Sequence, residues 1–189
     1  TNTGGTLAIN TTGITTTGNQ TFGENVTLGA DVTLTASITG NISFAGTIES
    51  TSLARVLTVN TSGATTFSGT VGATSPYLAS VTTNSGGTTV INGSSVRTTG
   101  AQTYGDAVTL GANTTLTGSI ITNSSTITGA TFSLAIIGNP VIDGAISGVN
   151  IFSVSGTTNI SANSISTTGT QTYSGAVTLS NSGTLTLTT

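Results

Sequence analysis

Side chains able to do chemistry are scarce in these 189 residues. The ionisable groups are Glu24, Asp31, Glu49, Asp106 and Asp143 against Arg55 and Arg97, and histidine, cysteine and lysine are absent. Acid–base work of the hydrolase or lyase kind needs two carboxylates, usually with a cation or base, gathered in one groove. Glu24 and Asp106 instead hold the same place in two copies of one repeat, directly after "FG" and "YG", and Gly175 stands there in a third copy. A corner-residue preference accounts for that pattern. With no histidine, lysine or cysteine beside any serine, nucleophilic catalysis lacks its activating base. Calcium nonapeptides rich in glycine and aspartate do not occur. The expectation is a non-enzymatic chain with no catalytic residue, no cofactor-binding residue, no cofactor and no metal site.

Two further patterns have residue types that sites can use. Asn-x-Ser/Thr triplets begin at Asn10, Asn19, Asn25, Asn41, Asn60, Asn92, Asn113, Asn123 and Asn159. A chain this rich in Asn, Ser and Thr makes them by chance. Thr-x-Thr triplets occur at Thr33, Thr115 and Thr186. A flat face carrying one such triplet per coil could order water as ice does, but the first two lie about four coils apart, and a solvent-facing threonine ladder is the simpler reading.

The elements that would carry these residues follow from composition. Thr, Gly, Ser and Asn dominate, charged residues make up 4%, and 34% of the chain is hydrophobic with a mean hydropathy of +0.30. Disordered chains carry more charge and fewer β-branched residues. Here Val, Ile and Thr favour a pleated, half-buried surface, and strong helix formers are nearly missing. A net charge of −3 offers no basic surface, so no nucleic acid is expected as partner, and no stretch reaches the length of a membrane helix, so no membrane insertion is expected of this segment. Without cysteine, stability must come from repetitive hydrogen bonding and packing.

The repeats give that packing a form. Residues 16–34 read "TTGNQTFGENVTLGADVTL", residues 98–116 "TTGAQTYGDAVTLGANTTL" and residues 167–179 "TTGTQTYSGAVTL", with a fainter "GATTFSGTV" from Gly63. An aromatic followed four residues later by valine recurs at Phe22, Phe67, Tyr104 and Tyr173. The aromatics Phe22, Phe44 and Phe67 at one end, and Phe132, Phe152 and Tyr173 at the other, suggest a unit of 20–22 residues, while Tyr77 and Tyr104 fall outside it. Such a unit is one coil of a parallel β-helix. Alternation places Val26, Leu28, Val32 and Leu34 on or near one face. Gly18, Gly29, Gly100, Gly111 and Gly169 are expected to supply positive-φ corners. The predicted fold is all-β, a right-handed parallel β-helix (β-solenoid) of eight or nine coils with little or no helix, roughly 40 Å long at about 4.8 Å per coil. A string of immunoglobulin-like sandwiches would call for a core tryptophan and longer repeats.

These phrases resemble the β-strand repeats of filamentous-haemagglutinin-like and autotransporter-type bacterial adhesins. The resemblance implies a right-handed β-helix, passage through an outer-membrane export partner, an extracellular place on the bacterial cell surface, and a role in attachment, aggregation or biofilm. Residues 1–189 then read as a single β-solenoid segment of a longer repeat protein, both ends being cuts. Its expected partners are further copies of itself, laterally or end to end, and surface glycans. The alternative is an ice- or polysaccharide-binding solenoid using a Thr/Asn-lined face.

Overall fold

A Thr/Val-rich strand alternates inward apolar and outward polar residues, and here every such strand pairs in parallel with its counterpart one coil away. The computed structural model describes residues 4–189. Among the described residues there is no helix, and hence none long and apolar enough to cross a membrane. Nine coils stack into a β-solenoid with three faces. The first coil places Thr6–Ile9 on the first face, Gly13–Thr16 on the second and Gln20–Phe22 on the third. The second coil repeats the circuit with Asn25–Leu28, Val32–Ala36 and Ile42–Phe44. In coils six and seven, the continuous strands Thr114–Asn123 and Leu134–Ile142 run from the first face onto the second, with a register shift between Thr117 and Ile120.

The core is a set of in-register inward files. On the first face Leu7, Val26, Ile48, Val71, Val96, Leu116, Ile136, Val154 and Tyr173 follow one another through all nine coils. On the second face the file is Ile14, Leu34, Val59, Thr83, Tyr104, Asn123, Ile142, Ile160 and Leu179. Most of these side chains are fully buried, so each coil covers the apolar surface of the one below.

Coil length is less uniform than 20–22 residues. Leu134 pairs with Phe152, 18 residues on, while Val32 pairs with Leu57, 25 residues on. Strand pairing fixes the three faces, and the corners absorb the difference. The largest excursions, residues 51–55 and 72–79, both leave the corner between the first and second faces.

Three other expectations are corrected. Val26 and Leu28 lie on the first face and Val32 and Leu34 on the second, all pointing into the shared core. Phe22, Phe44 and Phe67 do stack on the third face, at ring separations of 5.0 and 5.5 Å, but the file continues with Ile91 and Leu110. Phe152 belongs to the first face, edge-on to Tyr173, and Phe132 lies outside the strands, so the equal spacing of the C-terminal aromatics does not mark one column. None of the five glycines expected at positive φ has it. The corners instead need glycine for proximity. Gly46, Gly69 and Gly93 stack at one corner, and a Cβ on Gly69 or Gly93 would overlap the carbonyl of the glycine one coil earlier. Gly118, Gly138, Gly156 and Gly175 repeat the arrangement at another. Gly138 combines close approach with a φ of 147°.

Candidate functional site

The carboxylates are dispersed, and Glu49, Asp31 and Asp106 are tied to the backbone. Glu49 on the first face accepts hydrogen bonds from the Ala73 and Thr74 N–H groups and the Thr74 hydroxyl, each at 3.0 Å, and so holds the start of the 72–79 excursion. Asp31 accepts from Val56 N–H at 3.0 Å. The Ser161 hydroxyl donates to Asp143. Asp106 is buried, accepting from Gly87 N–H at 2.7 Å. Burial pushes its carboxyl above the ordinary range, with the bonds from Gly87 and Thr89 pulling the other way. Glu24 sits against Gly5. Glu24, Asp106 and Gly175 all occupy corners, as their shared place in the repeat suggests, but three different ones. Among the described residues no group of three or more His, Cys, Asp or Glu could hold a metal ion.

What the phrase "TTGxQ" builds is a polar bracket. Gln102 Nε2 lies 3.0 Å from Val96 O, 3.4 Å from Thr98 Oγ1 and 2.8 Å from Thr117 O in the next coil, and the Thr98 hydroxyl donates to Gly100 O at 2.9 Å. Gln20 and Gln171 repeat the set with Ile14, Thr16 and Thr35, and with Ile165, Thr167 and Thr188. One amide thus ties the strand before the corner, the corner and the following coil. The three copies stand on three faces: Gln20 on the third, Gln102 on the second, Gln171 on the first. The repeating unit is therefore a strand and its corner, a third of a coil, which the sequence showed only as irregular spacing.

Asparagines serve the same end outside the core. Asn25, Asn41 and Asn113 give their side-chain oxygens to the N–H of Thr47, Ala64 and Ser133 one coil later. Those triplets are thus explained by structure. The Thr-x-Thr triplets at Thr33, Thr115 and Thr186 fall on the second, first and third faces and do not stack. A single outward file does form on the second face, where Thr33, Thr58, Thr82, Thr103 and Thr122 succeed one another coil by coil. The flanking file is mixed, with Thr35 beside Asn60. Surface concavities are shallow grooves between corners, such as that lined by Asn113, Thr115, Ser133, Ile151 and Ser153.

No family model, no curated protein and no solved structure matches this chain.

Proposed function

We propose that the chain is a rigid, load-transmitting segment of an extracellular fibre or stalk, part of a large bacterial surface or biofilm-matrix protein, and that it works without catalysis. The observation that carries this is the unbroken stacking of inward residues through nine coils, which makes a rod about 40 Å long at the usual strand spacing of about 4.8 Å. A column in which each coil contacts only its neighbours transmits force along its axis and extends by adding coils. Near-uncharged Thr, Ser and Asn surfaces keep long β faces hydrated, and the adhesin-like phrases support an exported setting. Inserting the segment between a cell-surface anchor and an epitope tag should move the tag outward by about 40 Å, read as distance-dependent energy transfer to a membrane dye. A broad spread of tag distances, as a flexible 189-residue chain with an end-to-end distance of roughly 70–80 Å would give, in place of one narrow distance, would overturn the reading.

The threonine file on the second face favours a second reading, an ice- or polysaccharide-binding face. Thermal hysteresis abolished by Thr82→Val and Thr103→Val together would support it.

A further inference from the structure

Pro140 stands where a proline is costly. It lies inside the strand Leu134–Ile142, which pairs with Thr114–Asn123 in the coil before and with Thr158–Ile160 in the coil after. Each residue of such a strand gives its N–H to a neighbouring coil, and proline has none to give. A register shift lies just before it, between Thr117 and Ile120, the kind of place where a sheet tolerates proline, but the donor is still missing. On the same face Val81 N–H donates to Ala101 O at 3.2 Å and Thr158 N–H to Ala176 O at 2.9 Å, each reaching the carbonyl one residue before its partner in the next coil. The matching acceptor for Pro140 is Thr157 O, which therefore has no ladder donor. Thr158, the next residue, is 2% exposed and its hydroxyl has no partner.

Thr157 and Thr158 line a surface groove of about 230 Å³ that crosses coils six to nine of the second face, from Ile120 to Thr178. In the same groove Asn139 takes the Thr157 N–H and hydroxyl on its Oδ1, at 3.0 and 3.1 Å, and Asn159 takes the Ser180 hydroxyl at 2.6 Å. Both asparagines are exposed, and neither Nδ2 has a partner among the described residues. Ile120, 46% exposed, and the half-buried Val141 supply an apolar wall. No charged residue lines the groove. One unpaired carbonyl, two amide donors and an apolar wall are thus gathered at one uncharged place.

We infer that this groove binds an N-acetylhexosamine unit of a neutral polysaccharide. An acetamido group carries the complementary set: an N–H for Thr157 O, a carbonyl for an asparagine Nδ2 and a methyl for Ile120 and Val141. Meeting a carbonyl that the fold leaves unpaired is worth more than adding a bond to one already satisfied. The volume falls below the about 300–1,000 Å³ of pockets for drug-sized ligands and suits a single sugar unit. A peptide amide offers the same donor and acceptor, but a peptide adding as a strand needs a free sheet edge. The strands beside the groove are paired on both sides. The inference rests on the second reading, a saccharide-binding second face, and moves the contact from the threonine file to coils six to nine.

Titration calorimetry of the 189-residue chain with chitotriose, and with cellotriose, which has the same linkage but no acetamido group, tests it. The expected result is saturable binding of chitotriose, at least tenfold tighter than cellotriose. Pro140→Val returns an N–H to Thr157 O and should weaken chitotriose at least tenfold while the melting midpoint holds or rises. Asn159→Ala alters an exposed side chain, leaves the core intact and should also weaken binding, so it serves if Pro140→Val does not fold. Equal binding of the two trimers, indifference to both variants, or equally tight binding of N-acetyl-glycyl-alanine amide would overturn the inference. Chitotriose binding lost only in the Thr82→Val, Thr103→Val double variant would overturn this site and leave a saccharide-binding second face standing. No saccharide binding at all would overturn both.

Discussion

The Tyr104 hydroxyl donates to Gln102 Oε1 at 2.9 Å, two residues back on the same strand, and so completes the hydrogen bonding of a fully buried amide. Tyr173 and Gln171 repeat the bond at 3.1 Å. The equivalent pair on the third face is Phe22 and Gln20, where no hydroxyl exists and Gln20 Oε1 is left buried without a partner. Phenylalanine there stacks on Phe44 instead.

Tyr104→Phe should therefore cost about 1–3 kcal/mol, the usual penalty of orphaning a buried acceptor. The reciprocal Phe22→Tyr, if its hydroxyl reaches Gln20, should gain about 0.5–1.5 kcal/mol. Denaturant melts of both variants check the pair, and equal, small effects would remove the bracket from the stability account.

Phe44 lies between Phe22 and Phe67 and is 1% exposed. Phe44→Ala, and Phe152→Ala in its own column, should each cost about 3–5 kcal/mol. Phe132→Ala should cost much less, because Phe132 is only partly buried. Matching losses at Phe132 and Phe44 would contradict the division into columns.

Gly69→Ala tests whether corners need glycine for space. Its φ is not positive, so a purely conformational role predicts a neutral change. The overlap of the new Cβ with Gly46 predicts a loss of about 1–3 kcal/mol, as for overpacking. Thermal melting distinguishes the two.

Asp106 should give the rod an inverted acid response. Its folded-state pKa is raised above the ordinary 3.8, so the folded chain binds the proton more tightly than the unfolded one. Its contribution is then greatest below about pH 3.8 and declines as pH rises through the folded value, opposite in slope to a paired carboxylate. Asp106→Asn should flatten that part of the stability–pH curve, measured by urea melts.

At alkaline pH the tyrosines supply a second window. Burial pushes the Tyr173 phenol up to about 12 and Tyr104 further still. Folded chains hold those protons when unfolded ones lose them near 10, so stability should fall as pH rises beyond 10. Ultraviolet titration should show Tyr104 ionising only with unfolding.

Sequence alone determined that the chain is all-β and repetitive, because alternation, β-branching and recurrent glycine are local signals that a pleated strand and a tight corner each require, while the unit of a third of a coil emerged only once the coils were stacked. The shared corner position of Glu24, Asp106 and Gly175 was legible for the same reason. Which face a unit occupies was not. "QTF" and "QTY" fit all three faces equally, since each is an inward–outward–inward strand, and the face is set by how many units and excursion residues precede it. The pairing of Phe44 with Phe67 but of Phe67 with Ile91, the stacking of glycines coil on coil, and the meeting of Tyr77 with Arg97 all depend on contacts between residues about 20 or more apart. Those distances vary with corner length, so only the closed stack of coils decides them.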